Sequence, residues 1–352
     1  MLGAKIQFRH EFVDWNFFIF YEICIKILLL RSRMKSIREI AKLSGVSTAT
    51  VSRYVNNTGT VSAEKAKSIQ AVIDKYGYVP NEHVKAIFTG KTKDIGLIVQ
   101  NVTNPFFSEL VDGIMKVSTK AGHTIIVCNA MGDEQKELEY YQSMQQKRVS
   151  GLIVVNTCNP AIYKTNTIPL TSVDRRIENS NFIKVENELG ISQFLNTYNA
   201  RKFKKPLFIE ATNYNQSSIE RKKGAETYFA LANINIDEVK VDDENTQVSE
   251  AVIDNLIDND LIICWNDLVA HKVIAGLTKR GMNIPKDISV IGYDNIQINN
   301  FFAYELSTVD QAISQIAKEA VQTLLETITT SNIKDIVIKP KLIAGTTYNH
   351  KA

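Results

Sequence analysis

The stretch from Ile37 to Asn56 reads I-R-E-I-A-K-L-S-G-V-S-T-A-T-V-S-R-Y-V-N, and no other stretch of the chain restricts its fold as tightly. Ile37, Ile40 and Ala41 fall at i, i+3 and i+4, which is one face of a first helix. Gly45 stands where that helix must end and the chain must turn, a place for a residue that tolerates φ > 0. Ser47 is placed to cap a second helix, and Val51 and Val55 give that helix its inner face. Thr48, Ala49, Ser52 and Arg53 then point away from the core. A small helix pair with a polar, partly basic outer face has the shape that enters a DNA major groove. An ordinary helical hairpin is the plain alternative. Small Ala41, Gly45 and apolar Val51 at helix-turn-helix spacing argue against it.

A third helix follows. Ala66, Ile69, Val72, Ile73 and Tyr76 share a face, with Ser62 as N-cap and Gly77 as stop, and they would close a small core over the first two helices. Tyr78-Val79-Pro80-Asn81 breaks the pattern, and a short segment from Glu82 to Phe88 leads to a turn at Gly90. Residues 34–93 hold ten Lys or Arg against four acids, in a chain with 41 basic and 38 acidic residues, so the remainder is net acidic. A basic head on an acidic body suits a phosphate-backbone partner. Any one of these lysines is equally well read as solvated.

From Asp94 onward the character changes. Apolar runs I-G-L-I-V, T-I-I-V-C, G-L-I-V-V, P-L-F-I-E, L-I-I-C-W and I-S-V-I-G-Y alternate with helical stretches at Phe107–Ala121, Glu134–Arg148, Ser218–Ala232, Asp267–Arg280 and Gln311–Thr329. Such alternation predicts an α/β fold with parallel sheets covered on both faces. About 260 residues is long for one doubly wound sheet, so two such lobes are expected. Ligands of these sheets bind at the carboxyl ends of the strands. The polar residues expected there are Asn101, Asn104, Asp174, Asn266, Asp267, Asp294 and Gln311. Asp267 is read as the cap of the helix that follows it.

Cys24, Cys128, Cys158 and Cys264 lie far apart with no metal-ligand spacing, and the last three flank strand-like runs. They read as buried free thiols of a reducing compartment, with no metal site and no cofactor. No GxSxG, Walker, GxGxxG or HExxH motif occurs, and the five histidines are scattered, so an enzyme is not expected. Val13 to Leu30 is rich in Phe, Ile and Leu, but Asp14, Glu22 and Lys26 make it a poor membrane span. Met34 directly precedes the first helix pattern. Residues 1–33 therefore read either as a spurious or disordered extension from an upstream start codon or as a membrane anchor.

Together these residues resemble the lactose-repressor (LacI/GalR) family of bacterial transcription regulators from about Met34 to the C-terminus. The head carries I-A-x-x-S-G-V-S-x-x-T-V-S-R-x-V-N, then V-S and Y-x-P-N. The body adds N-P-F-F at 104–107, P-x-x-x-V-D-R at 169–175, R-x-x-G at 221–224, N-D at 266–267, G-M-N-I-P-K-D-I-S-V-I-G-Y-D at 281–294 and L-S-T-V-D-Q at 306–311. The resemblance implies a helix-turn-helix head (34–80), a hinge segment (81–93) and a two-lobed, periplasmic-binding-protein-like effector and dimerisation domain (94–352). Its first lobe would span about 94–190 plus 307–333, and its second about 191–306 plus 334–352.

By the same resemblance Thr48, Ala49 and Arg53 occupy base-reading positions, with Arg53 facing a guanine, while Ser47, Thr50 and Ser52 meet phosphates. Lys85 and Ile87 would be the hinge contacts, Ile87 as an apolar wedge in the minor groove. Val84 stands where the family has a small Ala, and Glu82 places an acid near phosphates. Asn104, Phe106, Phe107, Asp174, Arg221, Trp265, Asn266, Asp294 and Gln311 would hold a sugar or sugar phosphate, the polar groups taking hydroxyls and the rings an apolar face. Phe106 is equally well read as lobe core. Arg221→Ala or Asp294→Ala would then abolish the effector response with the fold largely intact. The implied protein is a cytoplasmic homodimeric repressor of a carbohydrate-utilisation operon on a pseudo-palindromic double-stranded operator, with a phosphoprotein co-effector left open. The other reading is a sugar-binding receptor without regulatory output.

Overall fold

The structure, a computed structural model, describes residues 35–56, 58–79, 92–212, 216–241 and 248–350. It separates into two compact units that divide between residues 89 and 90.

In the first unit α1 (Ile37–Leu43) begins at Ser36 with a capping box: the Ser36 side chain accepts from the Glu39 backbone N–H, and the Glu39 carboxylate accepts from the Ser36 N–H. Gly45, at φ 68°, turns the chain into α2 (Thr48–Asn56). Helix α3 (Ala63–Tyr76) ends at Gly77 in the left-handed conformation. Ser62 sits at the expected N-cap position but makes no side-chain cap bond. Ile40, Ala41, Val51 and Ile69 form the buried centre, with Val55, Val72 and Ile73 around them. Each large aliphatic there contributes about 1.5–3 kcal/mol by leaving water, so this small core has little in reserve. The side chain of Ser68 donates to the Ser44 carbonyl at 3.0 Å, and Tyr54 donates to Gln70 at 2.7 Å, tying α3 to the pair.

In the second unit a six-stranded, all-parallel sheet is ordered β11-β5-β4-β3-β1-β2, with β1 Asp94–Val99, β2 Thr124–Asn129, β3 Gly151–Val155, β4 Leu170–Val173, β5 Asn181–Val185 and β11 Asp335–Ile338. Helices α4 (Pro105–Lys120) and α10 (Ile313–Thr330) cover one face and α5 (Glu134–Lys147) the other. Along β1, Ile95, Leu97 and Val99 face α4 and α10, while Ile98 faces α5, the two-residue period of a strand buried on both sides. The second sheet, also parallel, is ordered β7-β6-β8-β9, with β6 Pro206–Ala211, β7 Asp237–Val241, β8 Leu261–Cys264 and β9 Ser289–Ile291. It packs with α6 (Asn187–Thr197), α7 (Gln216–Ala230), α8 (Glu250–Leu256) and α9 (Asp267–Lys279). A two-stranded antiparallel ladder of β10 (Thr308–Asp310) and β12 (Lys341–Ile343) accompanies the connections between the lobes.

Two parallel α/β lobes are what the alternating pattern implies. The expected lobe boundaries differ in three places: residues 187–190 begin α6 and Val309 packs in the core of the second lobe, although both were expected in the first. Residues 335–338 were expected in the second lobe, but as β11 they pair with β5 and extend the first sheet. Strands β4, β5 and β7 and helices α6 and α8 gave no clear signal, because Thr171, Ser172 and Asn181 interrupt β4 and β5 with polar groups and β7 is a largely exposed edge. Cys128 and Cys264 are buried free thiols as expected; Cys158 is free but only half-buried, because it sits in the turn after β3. Of the expected hinge segment only residues 92 and 93 are described, so Glu82, Val84, Lys85 and Ile87 lie outside the described residues, as do residues 1–33.

Candidate DNA-reading face and effector site

On α2 the side chains of Ser47, Thr48, Ala49 and Arg53 are exposed, and Thr50 and Ser52 are half-buried. Ser47 Oγ lies 2.8 Å from Thr50 Oγ1 and accepts the Thr50 backbone N–H at 3.2 Å, so it caps the helix. The Asn56 side-chain amide donates to the Ser52 carbonyl at 3.0 Å. Among the described residues no ion pair holds the Arg53 guanidinium. Its stem passes Gly59, where a Cβ would come 3.6 Å from Arg53 Cδ. The face is thus small at Thr48 and Ala49, self-satisfied at Ser47 and Thr50, and long and cationic at Arg53.

The second cluster lies where the lobes join. Arg221, on α7, is 4 % exposed. Its Nε donates to Asn187 Oδ1 at 3.2 Å and its Nη1 to the Trp265 carbonyl at 2.6 Å. Nη1 is 3.4 Å from Asp294 Oδ1, and the guanidinium stacks 3.8 Å from the centre of the Tyr293 ring. Gln311 donates its amide to Asp294 Oδ1 at 2.5 Å. The R-x-x-G motif has a packing reason. A Cβ at Gly224 would collide with the Glu188 carbonyl oxygen, so glycine lets α7 lie against the start of α6 and brings Arg221 to Asn187.

Asp174, after β4, adopts φ 66°, and Asp294, after β9, φ 116°, which is unusual for a residue with a side chain. Burial pushes the Asp174 carboxyl up to about 6, with the Arg221 guanidinium opposing and Glu220 adding to the rise. Burial also drives Asp294 well above the usual carboxylate range, against the pull of Arg221. Glu220, beside Arg221 on α7, pairs with Lys184 of β5 at 3.0 Å, a direct link between the lobes. Several buried polar atoms of these residues have no hydrogen-bond partner among the described residues: Asp174 Oδ1, Asn266 Nδ2, Gln311 Oε1, Tyr293 Oη and Trp265 Nε1. Unpaired buried polar groups are costly, so this cluster is a candidate site for a polar guest.

The expected residues divide. Asp174, Arg221, Asn266, Asp294 and Gln311 bring unpaired or ion-paired polar groups to this region. Asn104 is the N-cap of α4, accepting from Phe106 N–H at 3.0 Å. Asn101 closes a turn by accepting from the Thr103 backbone at 2.9 Å. Phe106 is buried in the first lobe's core, with Phe107 packed edge-on at 5.3 Å and half-buried. Trp265 is buried in the second lobe's core. The capping role expected of Asp267 belongs to Asn266, which accepts from Val269 N–H at 2.9 Å. Asp267 instead ties the connections together: it accepts from Thr308 Oγ1 at 2.5 Å, Ile296 N–H at 3.1 Å and the Asn299 amide at 2.8 Å. Asn187, Tyr293 and the Lys184–Glu220 pair escaped the sequence reading. Tyr293 stands inside the I-G-Y-D motif and Asn187 just past a strand's carboxyl end, which are the signals that could have found them.

The model for bacterial regulatory proteins of the lacI family matches residues 36–81, and that for a periplasmic binding protein-like domain matches 197–348. The chain is 30% identical over 308 residues to the HTH-type transcriptional repressor PurR of Vibrio atlanticus, covering 84% of this chain and 92% of that protein. It belongs to the LacI family. As a LacI-family member it is a DNA-binding transcriptional repressor with a small-molecule effector domain. The PurR of Photobacterium profundum is 29% identical over 314 residues, covering 85% of this chain and 93% of that one. Among solved structures, a LacI transcriptional regulator from Alkaliphilus metalliredigens, complexed with D-xylulofuranose, superposes with a TM-score of 0.69 at 27% identity, over 73% of this chain and 100% of that one. The lac repressor dimer bound to operator shares the LacI fold with a TM-score of 0.78 at 21% identity, over 89% of this chain and 99% of that one.

Proposed function

We propose that this chain is a cytoplasmic homodimeric repressor of a carbohydrate-utilisation operon, released from or fixed on a pseudo-palindromic operator by a sugar-like effector between the lobes. The observation that carries the effector reading is the group of unpaired buried donors and acceptors around the Arg221–Asp294 pair. Its mixed inventory of carboxylate, amide and hydroxyl groups suits a polyhydroxylated ring, whose hydroxyls both donate and accept. Asp174, Arg221, Asn266, Asp294 and Gln311 are its assigned contacts.

In the head, Arg53 is the base reader and Ser47, Thr50 and Ser52 are phosphate contacts, with Thr48 and Ala49 leaving room beside the bases. The Asp267 hub, holding Thr308, Ile296 and Asn299, supports coupling between effector and lobe arrangement, because Asn266 beside it carries an unpaired amide. The protein would act by binding, without turnover of its effector. Among the described residues no helix is long and apolar enough to cross a membrane.

A gel shift with the full chain on palindromic DNA, with and without a sugar panel, tests the whole reading. Salt-dependent operator binding that one sugar changes is the expected result. DNA binding untouched by every sugar would remove the effector half of the proposal.

A further inference from the structure

An occupied interlobe site acts on the operator only if it changes how the lobes sit. One segment of the chain touches both lobes and the site. It starts at Asp294, in the effector cluster, and ends at Tyr304. Ile296 lies in the core of the first lobe, and Ile298 packs against that core. The Gln297 backbone N–H donates to Glu109 Oε1 of α4, in the same lobe, at 2.7 Å. The segment then turns to the second lobe, where it closes around His271 of α9.

His271 is 5 % exposed. The Phe302 ring stacks on the imidazole at 3.8 Å between ring centres and 14° between planes. His271 Nδ1 lies 2.7 Å from Tyr304 Oη, and Nε2 lies 2.8 Å from Asn299 Oδ1. Asn299 Nδ2 donates to Asp267 Oδ2 at 2.8 Å, which fixes the amide oxygen towards His271. Nε2 must therefore carry a proton and donate. Burial lowers the imidazole below its ordinary value of 6.5, so at pH 7 it is neutral and Nδ1 accepts the Tyr304 hydroxyl. Every donor in the row Tyr304, His271, Asn299 thus points towards Asp267. Asp267 also accepts from Thr308 Oγ1 of β10 and from the Ile296 N–H. A Cβ at Gly292 would collide with its Oδ1, so only glycine there leaves room for the carboxylate.

We infer that His271 is the residue through which the second lobe holds the Asp294–Tyr304 segment, and that it positions this segment to carry the effector signal to the first lobe. Its ring contacts are Asn299, Phe302 and Tyr304, none of them an assigned effector contact, so its part is positioning and not binding. A contiguous row of packed and hydrogen-bonded groups is an element through which two sites couple. This rests on the effector reading above and deepens it.

The test uses the full chain with ribose, glucose, fructose and sucrose. Calorimetry measures the binding of each, and a gel shift on palindromic DNA measures how far each changes DNA affinity. Couplings of this kind are typically about 5–150-fold. With the sugar that acts on the parent protein, His271→Leu should bring the coupling below about twofold while Kd stays within about threefold of the parent's. His271→Gln, which can still donate to Asn299 Oδ1, should restore most of the response, a rescue that a packing role alone does not give. Asn299 is only half-buried, so Asn299→Ala breaks the same row with less risk to the fold and should lose the response as His271→Leu does. A response kept in both His271→Leu and Asn299→Ala would overturn the inference and leave the effector reading standing. So would a Kd that weakens in step with the response, since that would place His271 in binding. Binding of none of the four sugars by the parent would overturn the effector reading itself, and this inference with it.

Discussion

The two surfaces proposed here for recognition handle polar groups in opposite ways. On α2 the hydroxyls of Ser47 and Thr50 satisfy each other, and Arg53 extends into solvent. Around Arg221 the polar groups are withdrawn from water, and several of them have no partner among the described residues. DNA brings a high density of phosphates, so a solvated face suffices to hold it and selectivity needs only a few exact base contacts. A small polar guest offers few groups to hold, so it must be gripped by groups that water does not already occupy. The consequence is that substitutions on the head face should alter binding alone, while substitutions in the interlobe site should also alter stability.

Arg221→Ala breaks this contrast most strongly. The sequence suggested that the variant would keep its fold. The structure corrects that expectation, because Arg221 is buried and faces Asp294 at 3.4 Å. Removing one partner of a buried ion pair costs about 3–5 kcal/mol. We expect the lower part of that range, because Asp294 is already pushed towards its protonated form and can take up a proton. Urea unfolding of the variant at pH 7 checks this; an unchanged midpoint would place Arg221 in contact with water. Gly224→Ala should follow at roughly 1–3 kcal/mol, since its Cβ meets the backbone of Glu188 and overpacking costs that much. It should weaken effector binding too, by moving Arg221 away from Asn187.

Arg53→Ala tests the other side. It should reduce operator discrimination by roughly 1–3 kcal/mol per half-site and leave the thermal midpoint unchanged. Competition gel shifts against scrambled DNA read the first quantity and calorimetry the second. A lowered midpoint would mean that Arg53 packs rather than reads.

The same contrast explains what the sequence revealed. The head was legible almost residue by residue, because Gly45, Ser47, Val51 and Gly77 act through local rules of capping and periodicity. Even the capping box that the reading overlooked is written locally, as Ser36-x-x-Glu39. In the body the alternation of apolar runs and helices was enough to give two parallel lobes. The site was harder, since its members come from six separate segments whose meeting depends on close approaches such as Gly224 against Glu188. Asn266 and Asp267 show the limit: adjacent polar residues at a strand end, of which either can cap, and only the packing of Thr308, Ile296 and Asn299 assigns Asp267 to the hub.

The smallest expected effect concerns pH. The ordinary value for an Asp carboxyl is 3.8, and burial raises Asp174 to about 6 in the folded chain. Between those values the folded state holds a proton that the unfolded chain has released, so stability falls as pH rises through this window. Below about 4 both states are protonated and the penalty is absent; above about 6 both are ionised and it stays constant. Asp267 shifts in the same direction, so the ligand-free protein should lose stability over this window from more than one group. Asp174→Asn removes one of them. The variant's unfolding free energy relative to the parent should rise between pH 4 and pH 6.5 by about 1 kcal/mol, less than the shift alone implies because part of the Asp174 side chain reaches solvent. Paired urea titrations across the window measure that difference. A flat difference would mean that Asp174 is solvated in the ligand-free protein, and the sharp division between a wet DNA face and a dry effector site would soften at that residue.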